Sequence, residues 1–155
     1  MHLATSNVAV MLTGYEDASM ADFVAQLDSV NASADTAPGF VWRFIESDND
    51  TAEIVRLFGS DKTLFNMSVW ESVEALERWV YSGQHLDVVR RRAEWFEKPA
   101  RSPLVLWWID DGHIPTAREA RQRFEMLWND GPSAEAFTFS SPRRTAHWSS
   151  YPASC

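Results

Sequence analysis

Thiols are almost absent from this chain: its one cysteine, Cys155, is the last of 155 residues. No disulfide framework and no cysteine-built metal site can form within a single copy. Long hydrophobic runs are missing too, since no stretch approaches the ~18 apolar residues that span a bilayer. The opening segment MHLATSNVAV lacks the basic flank and apolar centre of a secretory signal, so a cytoplasmic protein is expected. Basic charge is scarce, 14 Lys and Arg against 22 Asp and Glu for a formal charge of -8, which argues against nucleic acid or an anionic membrane as the main partner. The one basic run, Arg90-Arg91-Arg92, stands beside Glu94 and Glu97 on a helical pattern and reads as a solvated face. Glycine is sparse, at six residues. The sequence holds no Gly-rich phosphate loop, no Gly-x-Ser-x-Gly elbow and no His-x-x-x-His pair. His2, His85, His113 and His147 are too scattered to suggest a metal site.

Tryptophan is the excess, with eight residues. Large rings bury much area but pack a small core with gaps, so an aromatic-walled pocket or interface is a reading alongside plain core filling. The chain is organised around residues 64–97. Leu64, Asn66, Ser68 and Trp70 alternate with Phe65, Met67 and Val69, the period of a strand with two unlike faces. Ser72 sits where an N-cap belongs, followed by Val73, Leu76 and Val80 at helical spacing. Ser82-Gly83 breaks that helix before a second run with Leu86, Val89, Ala93 and Phe96 on one stripe.

The remaining elements follow from the same periodicities. Residues 3–12 alternate as a strand. Phe23, Val24, Leu27 and Val30 predict a helix, with Ser19 and Asp22 resembling its capping box. Residues 40–46 read as a strand and 47–51 as a turn. Residues 52–58 fit either a short strand or a helical turn. Leu104–Ile109 is a continuous apolar strand, and Thr116 with Glu119 opens a last helix. Residues 136–139 form an apolar patch expected to dock on the domain. From 140 the composition is Ser, Pro, Arg and Thr, so we expect one domain over 1–139 and a loose tail over 140–155.

The order predicts an α+β fold, a βαββαβ antiparallel sheet with helices on one face plus a C-terminal helix. The Phe65/Met67/Val69 face suits those helices. The face carrying Asn7, Met11, Asn66, Ser68 and Trp70 then needs a cover, for which a second copy of the chain is the simplest candidate. Within such a half-polar cavity three groups bear chemistry. His85, after the Gly break, either faces the cavity as an acid–base group or caps the preceding helix. Asn7 can polarise a carbonyl or bind oxygen, or its amide satisfies neighbouring backbone or faces water at the rim. Arg43, alone in an aromatic strand, can meet a carboxylate or phenolate, or pair with an acid such as Glu46 or Glu71 or one across the dimer. Trp42, Trp70 and Trp107 are pocket wall or core, and His113 belongs either to the substrate contacts or to the turn before the last helix.

The runs Asn66-Met-Ser-Val-Trp-Glu-Ser-Val-Glu-Ala-Leu-Glu-Arg-Trp-Val-Tyr, His85, Arg90-Arg-Arg-Ala-Glu-Trp-Phe-Glu, Leu106-Trp-Trp and Gly112-His-Ile-Pro-Thr resemble an uncharacterised bacterial family over about residues 3 to 139. That family is similar to the antibiotic-biosynthesis-monooxygenase-like proteins of the dimeric α/β-barrel superfamily. The resemblance implies a ferredoxin-like protomer, a homodimer and a small hydrophobic or aromatic ligand held between sheet and helices. It further implies cofactor-independent oxidation or rearrangement of an aromatic or polyketide-like substrate, with haem-dependent chemistry or simple ligand binding as alternatives. In the haem-degrading members a strand-one Asn, a helix Trp and a His form the site. Asn7 and Trp79 match two of these, whereas Val89 stands at the histidine position.

Overall fold

The computed structural model describes residues 1–140, so the expected tail lies outside the described residues except for Ser140. The sheet is built from β1 (His2–Val10), β2 (Phe40–Arg43), β3 (Thr63–Trp70) and β4 (Leu104–Ile109). Their order is β2-β3-β1-β4, and β1–β3, β1–β4 and β2–β3 are all antiparallel. Each of the pairs β1/β2 and β3/β4 is therefore parallel with one strand between its members. These are two split βαβ units interleaved, the ferredoxin-like arrangement. The helices are α1 (Ala21–Asp35), α2 (Asp48–Phe58), α3 (Val73–Val80), α4 (Gly83–Arg90) and α5 (Ala117–Asp130).

Parallel crossovers are right-handed, which sends α1 and the α3–α4 pair to the same face of the sheet. That face is the one carrying Leu3, Thr5, Asn7, Asn66, Ser68 and Trp70. At one end Leu3, Trp70 and Leu106 pack with Ala34 of α1 and with Val73, Ala75 and Leu76 of α3. At the other, Met11 packs with Met20, Phe23 and Trp95, flanked by Leu27, Leu64 and Val88. The opposite face, with Ala4, Phe65, Met67, Val69, Val105 and Trp107, packs against Ile54 of α2 and Ala120, Phe124 and Leu127 of α5. The helices expected on the Phe65/Met67/Val69 face are thus α2 and α5. The half-polar face reserved for a second copy is covered by the chain's own crossovers. Handedness, not face polarity, decides which helices go where.

Residues 52–58 resolve as the body of α2. Ser47 and Asp50 form a reciprocal capping box, and Gly59 ends the helix at φ 85, where glycine carries no Cβ penalty. At the start of α1 the expected Ser19/Asp22 box does not form. Asp17 instead accepts from the Ser19 amide at 2.9 Å, and Asp22 pairs with Arg91. Ser72 caps α3 as expected, accepting from the Ala75 amide at 3.1 Å. The patch over 136–139 docks as a short extra edge on β4, with two backbone bonds between Leu106 and Phe137 at 2.8 and 2.9 Å. Gly39 makes the α1–β2 turn at φ +84, and a Cβ there would lie 2.5 Å from that of Ala75. This close approach holds α3 against the turn.

Candidate functional site

Register assembles a polar strip in the middle of the crossover-covered face. Thr5 lies opposite Ser68 and Asn7 opposite Asn66 across β1 and β3, while Arg43 of β2 lies opposite Ser68 on its other side. Neither apolar cluster on this face includes these residues. Asn7 is exposed and Asn66 and Ser68 are half-buried, although β1 and β3 are interior strands. A side chain on an interior strand reaches water only where the layer above it is open, so a cleft lies over the strip. Thr5, at 6% exposure, closes its inner end.

One wall of the cleft is aromatic. Phe40 meets Trp70 edge-on at 5.5 Å, Trp70 lies 5.5 Å from Trp79, and Trp79 lies 4.2 Å from the His85 ring. The Trp70 indole N–H donates to Ser68 Oγ at 2.8 Å, joining wall to strip. The Trp79 indole N–H donates to Ser33 Oγ of α1 at 3.0 Å. This wall exists because the Val73/Leu76 stripe seats α3 on the sheet and the chain breaks at Ser82-Gly83. The break places His85 in the first turn of α4.

His85 caps the preceding helix, one of its two readings. Its Nδ1 lies 3.0 Å from the Val80 carbonyl, one of the last carbonyls of α3 that lack a helical partner. A carbonyl only accepts, so Nδ1 carries the proton and Nε2 holds the lone pair in the neutral ring. Burial pushes the His85 pKa below 6.5, with the Val80 hydrogen bond opposing the shift. Near neutral pH His85 is an uncharged base in an aromatic setting.

The other expected residues divide. Arg43 shares the cleft face, but its guanidinium makes two bonds to Asp35, at 2.7 and 3.2 Å. Those bonds hold the Asp35 carboxyl below its ordinary range. The partner is neither Glu46 nor Glu71, and the guanidinium is engaged rather than open to an anion. Trp42 and Trp107 sit on the far face, in or against the core under α2 and α5, and do not line the cleft. His113 is also elsewhere. Its Nε2 lies 2.8 Å from Glu119, whose other oxygen accepts from the Trp107 indole at 3.1 Å. That triplet ties the loop after β4 to α5. Thr5 and Ser33 escaped the sequence reading, although Thr5 stands two residues before Asn7 in the same alternation.

Haem, which the resemblance raised, does not fit these residues. The position of the axial imidazole is the aliphatic Val89. His85, the nearby imidazole, stands four residues earlier, in the first turn of α4, with its ring packed on Trp79. Among the described residues no group of three or more His, Cys, Asp or Glu could hold a metal ion. No helix among them is long and apolar enough to cross a membrane.

The family described as "Domain of unknown function (DUF3291)" matches residues 2–153, and no curated protein matches the chain. Solved structures of similar fold include a conserved protein from Methanosarcina mazei Go1, with TM-score 0.52 at 9% identity, covering 71% of this chain and 94% of that one. Rv0793 from Mycobacterium tuberculosis gives 0.51 at 14% identity, covering 73% and 100%. SnoaB, a cofactor-independent oxygenase from Streptomyces nogalater, gives 0.48 at 15% identity, covering 71% and 94%. At such identities the likeness is one of fold. An uncharacterised family and a ferredoxin-like fold are what the sequence resemblance implied, and both are found.

Proposed function

We propose, for a chain that belongs to the DUF3291 family of domains of unknown function, a small-molecule enzyme working in the cleft between the sheet and α1, α3 and α4. Its reaction is a cofactor-independent oxidation or rearrangement of an aromatic or polyketide-like substrate, in a cytoplasmic setting. The observation that carries this reading is His85: a neutral imidazole with a free Nε2, packed at 4.2 Å on the aromatic wall of a polar-floored cleft. In the oxidative form Nε2 takes a proton from an acidic C–H or phenolic O–H of the substrate. The resulting anion spreads over the ring system, and the Asn7 and Asn66 amides donate to its developing oxyanion. Dioxygen is the oxidant, one of its atoms entering the substrate and the other leaving as water.

Oxygen uptake with anthrone, a tricyclic C–H acid, tests the chemistry. Wild type is expected to accelerate uptake, and His85→Gln to lose roughly 10²–10³ of the rate while still binding the ring. The rate should fall on an acid limb lying below pH 6.5, because burial lowers the His85 pKa. Stability follows the same group. The unfolded chain takes up this proton first, so the contribution is complete above about pH 6.5 and is lost as pH falls through the folded value. If aromatic ligands bind the cleft with no turnover of any of them, the protein is a binding module and the enzymatic reading is wrong.

A homodimer belongs to the same proposal. Helices pack on both sheet faces, which favours a contact at a sheet edge. The β2 edge, where Val41 is 40% and the following Ile45 is 70% exposed, is an apolar stretch that suits it. Sedimentation at micromolar concentration is expected to give a dimer that Ile45→Lys dissociates. A monomeric wild type removes the dimer from the proposal.

A further inference from the structure

We propose that Thr5 is a ligand-contacting, specificity-determining residue. With Ser68 across the strand pair, its hydroxyl forms the inner polar contact for a neutral oxygen, hydroxyl or carbonyl, on the bound ring. This rests on reading the cleft as a small-molecule site. Thr5 is 6% exposed, and its Oγ1 is buried with no hydrogen-bond partner among the described residues. Buried hydroxyls are almost always paired, and an unpaired one costs stability that a valine of the same shape would not. A group that weakens the fold, on the floor of a cleft, is accounted for by what it meets there.

Ser68 completes the contact. It lies directly opposite Thr5, a pairing that puts the two Cβ atoms ~5 Å apart. Ser68 Oγ already accepts from the Trp70 indole at 2.8 Å, which leaves its own proton to donate. Thr5 Oγ1 is closed off as it stands, so with a small displacement of the side chains over it a ligand oxygen seated between the two hydroxyls would accept from Ser68 and pair with Thr5. Leu3, Trp70 and Leu106 surround this end of the strip and are fully buried, so a charged group there would be poorly solvated. That selects a hydroxyl or carbonyl over a carboxylate. The next polar rung, Asn7 opposite Asn66, lies two residues along, ~7 Å away, and is exposed on the Asn7 side. The inner rung thus reads one edge of a flat ring system while the outer rung serves the reacting edge.

Equilibrium dialysis of 1-naphthol and naphthalene against wild type, Thr5→Val, Thr5→Ser and Trp79→Ala tests this. Thr5→Val is expected to weaken 1-naphthol about 5–10-fold, to leave naphthalene unchanged, and to melt at the same or a higher temperature than wild type. Thr5→Ser, which keeps the hydroxyl, should bind both probes within about twofold of wild type. Equal losses for both probes would show that Thr5 only shapes the cavity and would overturn the proposal. So would an unchanged 1-naphthol affinity in Thr5→Val while Trp79→Ala abolishes binding, which leaves the cleft as a site and removes Thr5 from it. Wild type binding neither probe would sink the reading of the cleft, and this proposal with it.

Discussion

Phe124→Ala is expected to remove about 3–5 kcal/mol of stability, the usual cost of deleting a fully buried phenylalanine, while leaving the cleft intact. Phe124 has no exposed surface. It stacks on Trp128 at 5.1 Å, meets Phe58 of α2 edge-on at 6.0 Å, and packs in one cluster with Val105, Trp107 and Ile109. It is where α2, α5 and the far face of the sheet come together. A domain of this size is stable by about 5–15 kcal/mol, so up to half or more of the total is at stake. Calorimetry should register a drop on the order of 10 °C. Because the cleft lies on the opposite face, affinity for an aromatic ligand in the remaining folded protein should not move. A loss below about 1 kcal/mol would mean that α5 does not close this face and that something else does. Denaturant titration at two protein concentrations in the Ile45→Lys background, where the proposed dimer is absent, separates these cases, since closure within the chain then gives a midpoint independent of concentration.

The strand-to-helix passage from Leu64 to Val80 was legible because period two gives way to period 3.6 at Ser72, a residue whose hydroxyl can cap. Helix α2 was written just as openly, in Ser47, Asp50 and the Gly59 stop. Its body is ambiguous in the sequence because Ala52–Phe58 alone satisfies both periods. The assignment of faces failed for a different reason. Alternation reveals that a strand has two faces but not which helices cross over each, so a half-polar face does not by itself require a partner to cover it. Here the crossover layer is split, with apolar contacts at its two ends and the polar strip under the gap. Pairing register carries the rest of the difference. Trp42 faces the core because it sits opposite Val69, and Trp107 because it sits opposite Ala4. Neither pairing can be read from composition. The bond between Arg43 and Asp35 spans only eight residues, yet it depends on α1 ending beside β2.

Trp79→Ala should have the largest effect on whatever the cleft does. The indole makes three separate contacts: with Trp70 at 5.5 Å, with His85 at 4.2 Å, and through Nε1–H with Ser33 Oγ at 3.0 Å. Being half-buried, it should cost somewhat less than a core tryptophan, roughly 2–3 kcal/mol. The functional loss should be greater than that figure suggests, because two catalytic features go at once. The flat wall against which a ring would lie disappears, and His85 loses the ring that shields it from water. Since burial is the leading cause of the depressed His85 pKa, exposure moves that pKa upward toward 6.5. The acid limb of the rate profile should move to higher pH by the same displacement. At pH 7 turnover is expected to fall by about 10² or more, through misplacement of base and substrate together. Trp79→Phe supplies the control, since it keeps an aromatic face for Trp70 and His85 while deleting only the bond to Ser33, worth about 1 kcal/mol. It should hold the limb in place and retain most of the activity. A Trp79→Ala protein that stays folded, with ligand affinity and acid limb both unmoved, would show that the aromatic wall supports α3 and α4 but takes no part in the site.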